Sequence, residues 1–176
     1  MVMYRLYDFP GLVIVVALVL GCGSDSPDDP SPDAAVVEAP ACANNPAYVA
    51  NPATGHRYRA VAEGTDISWT DARAVCQSDE ADLVIIEDGN ENAYVFDLLQ
   101  VTMWIGLVRV GPGELFEWVD GRPITYQNWA DPEPNNFSGM EDRAEITAPG
   151  AQWSDVADDD QNPGFVCECF IPTGAL

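Results

Sequence analysis

Positive charge is scarce in this chain of 176 residues: seven Lys and Arg stand against 29 Asp and Glu, a formal net charge of −22. A phosphate backbone or an anionic lipid surface needs the opposite sign, so nucleic acid is excluded as an expected partner. Histidine is rarer still. His56 is the single one, in an early-strand setting, and no Ser-His-Asp, Cys-His or zinc-ligand set can be assembled around it from the sequence. An enzyme is therefore not expected. Internal repeats are lacking, and the apolar run Gly11 to Leu20 is too short to span a bilayer comfortably.

That run does suit a signal-peptide core, since Arg5 precedes it and Gly21-Cys22-Gly23-Ser24 follows. Val19-Leu20-Gly21-Cys22 resembles a bacterial lipobox, which implies that residues 1–21 are removed and that Cys22 becomes an acylated first residue. An ordinary signal peptide or a signal anchor is the alternative. Under the rules of that resemblance Gly23 implies retention at the outer membrane of a bacterial cell envelope. Residues 22–41 are rich in Asp, Pro and Ser, a composition that buries no core and self-repels. They are expected to form a tether between a lipid anchor and a folded domain over residues 42–176, about 130 residues with one core.

Apart from Cys22, four cysteines remain, Cys42, Cys76, Cys167 and Cys169, and they fit an oxidising compartment. Sequence alone allows all three pairings. The alternating stretch His56 to Val61 reads as an early strand. Ser68 or Thr70 caps a helix that runs through Ala72, Ala74, Val75 and Cys76, with Asp71 in its first turn. Leu83-Val84-Ile85-Ile86 reads as a buried strand or extended segment, and a second helix is expected from about Asn90 to Gln100 with Val95, Leu98 and Leu99 inward. Trp104 to Leu107 is expected to be a central core strand, and Phe116 to Gly121 a strand ending in an Asp-Gly turn. Trp118 and Trp129 are expected to be structural. Two helices flanking short strands make an α+β domain.

The segment Trp129 to Asp155 is dominated by Pro, Gly and Asn interleaved with acids, so it predicts a loop whose carboxylates are free to converge. A hard cation such as calcium takes six to eight oxygen ligands. Glu133, Asn135, Glu141, Ser154 and Asp155 are the candidate donors. Glu133 and Glu141 also suggest a glycosidase pair, but a bound cation would hold both ionised and remove the general acid.

Glu133-Pro134-Asn135, Glu141 and Trp153-Ser154-Asp155, in this order, resemble the long-loop calcium site of C-type lectin domains. Trp104-Ile105-Gly106-Leu107 resembles the core motif of that family, and Phe165-Val166-Cys167-Glu168 its closing strand. The resemblance runs from roughly Ala53 to Phe170. It implies two helices flanking small antiparallel sheets, calcium as cofactor, and pairing of Cys76 with Cys167, leaving Cys42 for Cys169. It also implies a cis Pro134. Glu133, Asn135, Glu141 and Ser154 then face the sugar, and the Glu-Pro-Asn order implies a mannose-type glycan.

Several departures from the family pattern bear on these expectations. Ser154 stands where an Asn would offer both a carbonyl to calcium and an N–H to the sugar, a loss of about 1.5 to 3 kcal/mol. Arg143 and a position near Asp158 replace a second disulfide, and an ion pair between them is the expected substitute. Arg109 and Gly113 fall where an auxiliary calcium site would want acids, although Asn136, Glu141 and Asp142 remain. Asp158-Asp159-Asp160 reads as a solvated loop. Ser154 and the missing disulfide favour the competing reading, a domain of the same fold that binds a surface protein, with calcium structural or absent, whereas the intact Glu133, Asn135, Glu141 and Asp155 favour calcium-dependent sugar binding.

Overall fold

A computed structural model describes residues 38–62, 66–111 and 115–171. The expectations for residues 1–37, including Cys22 and most of the tether, lie outside the described residues, as does Gly113. In chain order the elements are α1 (Ala41–Asn44), β1 (Val49–Ala50), β2 (Arg57–Val61), α2 (Trp69–Gln77), β3 (Asp82–Leu83) and α3 (Gly89–Leu99). Then follow β4 (Met103–Arg109), β5 (Phe116–Trp118), a 3-10 turn (Phe137–Gly139), β6 (Arg143–Thr147), β7 (Gln152–Val156) and β8 (Phe165–Cys169).

Local signals place the two long helices. Ser68 caps α2 by accepting a hydrogen bond from the Asp71 N–H, and Trp69, Ala72 and Cys76 share its buried face. Asp88 caps α3 by accepting from the N–H groups of Asn90 and Glu91, and Gln100 closes it in a left-handed conformation. Leu83–Ile86, expected as a buried strand or extended segment, is in the ladder at Leu83. Val84, Ile85 and Ile86 continue extended and fully buried, with the Val84 N–H donating to the Val166 carbonyl and the Gly106 N–H donating to that of Val84.

The strands join into one open eight-stranded sheet in the order β1-β2-β8-β4-β6-β7, with β3 on β8 and β5 on β4. The expected small antiparallel sheets are thus continuous, because β4 meets β8 in parallel at Trp104 and Phe165 while pairing antiparallel with β6. β2 lies antiparallel to β8 from Arg57 opposite Cys169 to Val61 opposite Phe165, which sets the two ends of the domain side by side.

That pairing positions both disulfides, Cys42–Cys169 and Cys76–Cys167, with Cα separations of 5.7 and 5.3 Å. The second closes a loop across a sequence separation of 91. In the chain-entropy account it contributes about 4 kcal/mol.

Trp104, Ile105 and Leu107 are fully buried, and the Trp104 indole donates to the Ile67 carbonyl at 2.7 Å. They are core residues, as expected. Arg143 meets Asp158 at 3.1 Å, where the resemblance placed the missing disulfide, and Thr70 donates its hydroxyl to the same carboxylate at 2.9 Å. Both partners are partly exposed, so the pair contributes only about 0 to 1 kcal/mol. Arg143→Ala should therefore barely move the urea midpoint. A loss above about 2 kcal/mol would mean that the stacking of Arg143 over Trp69, at 4.7 Å, matters more than the charge.

Candidate calcium site in the long loop

The loop between β5 and β6 is tied down at its start by aromatic packing. Trp153 of β7 is fully buried, and Trp118, Tyr126 and Trp129 meet its ring edge-on with centroids 5.6–5.7 Å away. Its indole donates to Asn92 Oδ1 of α3 at 2.7 Å. The backbone locks in the same place, with the Trp153 N–H donating to the Asn128 carbonyl and the Ala130 N–H to that of Trp153, both at 2.8 Å. Trp118 and Trp129 are therefore structural, as expected.

Beyond this anchor the chain turns sharply. The Glu133–Pro134 bond is cis, Asn136 and Ser138 adopt left-handed conformations, and Asn136 Oδ1 accepts from the Glu141 N–H at 3.2 Å. The Glu141 carboxylate accepts in turn from the Phe137 N–H. β7 brings Asp155 up from the other side. Glu133, Glu141 and Asp155 each place a carboxylate oxygen within 4.8 Å of the others.

Asp155 is the centre of this arrangement and is fully buried. Its Oδ1 accepts from the Asn135 N–H and its Oδ2 from the Asn136 N–H, both at 2.9 Å. Glu133 Oε2 accepts from the Asn135 side-chain amide at 2.7 Å. Burial raises the Glu133 carboxyl above its ordinary range, and the hydrogen bond and charge of Asp155 add to this, against the opposing hydrogen bonds of Asn135. Three carboxylates and an amide at one point form a hard-oxygen donor set that suits calcium. Ser154, one residue before Asp155, is half-buried, and no side-chain hydrogen bond ties it to the cluster among the described residues.

One cation is already built in. Arg109, at the end of β4, is buried and pairs with Asp155 Oδ2, donates to the Glu141 carbonyl at 2.9 Å and lies 3.5 Å from Asp142. Its guanidinium also sits over the Phe116 ring at 4.5 Å from the centroid. From sequence Arg109 reads only as the loss of an auxiliary calcium ligand, whereas in the fold it supplies positive charge to the loop. Its signal in the sequence is an arginine in an otherwise apolar core strand, which implies a buried acidic partner.

A second cluster lies apart from the loop. His56, Glu91 and Glu168 converge, a set that sequence reading did not assemble because its members come from the start of β2, the first turn of α3 and β8.

The chain belongs to the C-type lectin domain family, whose pattern, described as "Lectin C-type domain", matches residues 65–169. Similar relatives include "C-type mannose receptor 2" of Rattus norvegicus, 32% identical over 116 residues, covering 58% of this chain and 8% of the receptor. Another is "Low affinity immunoglobulin epsilon Fc receptor" of Homo sapiens, 34% identical over 101 residues, 57% of this chain and 31% of that one. The chain thus spans less than a tenth of the length of the mannose receptors it matches. Among solved structures, the mouse scavenger receptor C-type lectin carbohydrate-recognition domain superposes with a TM-score of 0.63 at 28% identity, over 70% of this chain and 95% of that one. A calcium-independent type II antifreeze protein superposes with a TM-score of 0.65 at 21% identity, over 72% of this chain and 94% of that one, and bears on the fold alone.

Proposed function

We propose that this domain is a calcium-dependent carbohydrate-binding module of mannose-type preference. Calcium is held by Glu133, Asn135, Glu141 and Asp155, with Ser154 at its edge, and the domain is displayed on a bacterial cell envelope by acylation of Cys22 and the tether that follows. The observation that carries this reading is the convergence of the Glu133, Glu141 and Asp155 carboxylates at one point.

The geometry supplies what paired sugar hydroxyls need. A carboxylate accepts from a hydroxyl proton, and a neighbouring amide N–H donates to a hydroxyl oxygen. Glu133 and Asn135 form such a pair, already joined at 2.7 Å. Bound calcium supplies the charge that draws the hydroxyl oxygens in, while Asn135 and Asn136 hold Asp155 by their backbone N–H groups.

Calorimetric titration of the chain with calcium, then with mannose, tests this reading. Saturable one-site calcium binding is expected, abolished in Glu133→Gln/Asn135→Asp, with mannose heat only when calcium is present. No calcium heat at millimolar concentrations overturns it. The second reading, a protein-binding domain without sugar binding and with calcium structural or absent, is favoured by the one observation that Arg109 already pairs with Asp155.

A further inference from the structure

We propose that the apolar groove beside Pro134 receives the alkyl chain of an amphiphilic mannoside, so that the ligand is a glycolipid-type sugar. The proposal rests on the sugar-binding reading of the loop and names the class of molecule that carries the sugar. The groove holds about 400 Å³, within the range of small-ligand sites, and lies between the turn that joins β4 to β5 and the start of the long loop. Phe116 and Trp129 line it side by side, with ring centroids 5.1 Å apart, together with Leu115, Ile124 and Pro134.

Two contacts tie the groove to the calcium loop. Pro134 lines the groove and stands between Glu133 and Asn135, the pair proposed to meet the sugar hydroxyls. Phe116 carries the Arg109 guanidinium over its ring, and Arg109 in turn pairs with Asp155. Neighbouring residues are only a few ångströms apart, so a substituent leaving a sugar held at Glu133 and Asn135 reaches the groove directly.

The lining selects an uncharged, apolar chain. Among the described residues no charged side chain lines the groove, in a chain that carries 29 Asp and Glu. Gln127 and the Trp129 indole are its polar side-chain groups. A second sugar ring would give up water there and find few partners for its hydroxyls, whereas methylenes gain by leaving water. Leu115 is 72% exposed, and a chain laid in the groove would cover it.

Backbone hydrogen bonds hold the walls in place before any ligand arrives. The Val110 N–H donates to the Leu115 carbonyl at 2.9 Å, the Trp118 N–H to that of Arg122 at 3.1 Å and the Glu133 N–H to that of Ala130 at 2.6 Å. Pro123, also in the lining, is bridged to Glu117 of β5. A groove formed in advance spends little on ordering itself. Each buried methylene favours binding by roughly fourfold, and fixing a flexible chain takes part of this back. A six-carbon chain with about three methylenes in the groove is thus expected to bind about tenfold tighter than a methyl group.

The test uses the full chain with Cys22→Ser, so that no detergent is needed for an acylated terminus and none competes for the groove. Methyl and hexyl α-mannoside are titrated by calorimetry in calcium, and the hexyl glycoside should bind about tenfold tighter. Leu115→Asp, at an exposed position, should erase that advantage and bring the two glycosides within about twofold of each other. Ile124→Ser serves as a second variant with the same expected loss. Methyl mannoside binding with no gain for the hexyl glycoside, or a gain that survives both variants, would overturn the proposal and leave the sugar reading intact. A mannose disaccharide that gains as much as the hexyl glycoside would overturn it too, assigning the groove to a second sugar. Hexyl binding with no methyl binding would instead overturn the sugar reading and keep the groove as a site for apolar chains, and binding of neither would overturn both.

Discussion

Arg109→Met is expected to destabilise the calcium-free domain by about 3 to 5 kcal/mol, the range seen when one partner of a buried ion pair is removed. The side chains of Arg109 and Asp155 are 3% and 0% exposed, so water cannot replace the lost charge. Methionine keeps much of the aliphatic stem but removes the guanidinium that sits over Phe116, so the loss combines the buried charge with that smaller cation–π contact. The Asp155 carboxylate would keep the N–H groups of Asn135 and Asn136 but lose its counter-ion. Asp142, 3.5 Å from Arg109 and half-exposed, adds little to the figure.

Two further measurements make this prediction sharp. Urea unfolding of Arg109→Met/Asp155→Asn should recover a large part of the loss, because a neutral amide needs no counter-ion. If calcium binds as proposed, it should also restore stability to Arg109→Met more than to the parent, since the ion would bring positive charge to the same carboxylate. If Arg109→Met unfolds within about 1 kcal/mol of the parent, Arg109 is not the cation that holds the loop.

Gly106→Ala is expected to be at least as damaging, for a reason of space rather than charge. A Cβ at this position would fall 2.7 Å from the Leu83 carbonyl oxygen and 2.8 Å from that of Val84, with Val119 Cγ2 at 3.1 Å. Two of these atoms are backbone, so no rotamer change relieves the overlap. The chain can make room only by separating β4 from the Leu83–Val84 segment. That motion breaks the hydrogen bonds that join the Gly106 N–H to Val84 and the Val119 N–H to Gly106, each 2.8 Å long.

Overpacking of about 1–3 kcal/mol and two weakened hydrogen bonds together put the expected cost above about 3 kcal/mol. The melting temperature should fall by roughly 10 °C or more. A variant that melts within a few degrees of the parent would show that the central strand has room to shift.

Much of the architecture could be read from local pattern. Ser68 and Asp71 marked the start of α2, the run through Val95 and Leu99 marked α3, and the Pro-, Gly- and Asn-rich segment from Trp129 marked the long loop. These features depend on a few neighbouring residues, and neighbours are what a linear sequence displays. Leu83–Ile86 reads as a buried strand or extended segment, and local pattern does not choose between the two. Whether an extended segment belongs to a ladder depends on the partner beside it, and here that segment is wedged between β4 and β8.

The sequence by itself determined the α+β class, the two helices, the core role of Trp104 to Leu107 and the loop position of Glu133 and Glu141, and its resemblance to C-type lectin domains pointed to the fold. Asp155, expected in the same loop, lies in β7. The sequence left three cysteine pairings open, and the resemblance to C-type lectin domains singled out the one the structure contains. Only the tertiary structure decided what Arg109 and His56 face. Arg109 met Asp155 because β4, β6 and β7 pair in a register that carries the end of β4 to the base of the loop. His56 met Glu168 because β2 lies against β8, and met Glu91 because α3 packs across that ladder. Contacts of this kind join residues from distant parts of the chain, and strand register and helix docking, which no local spacing encodes, choose the partners.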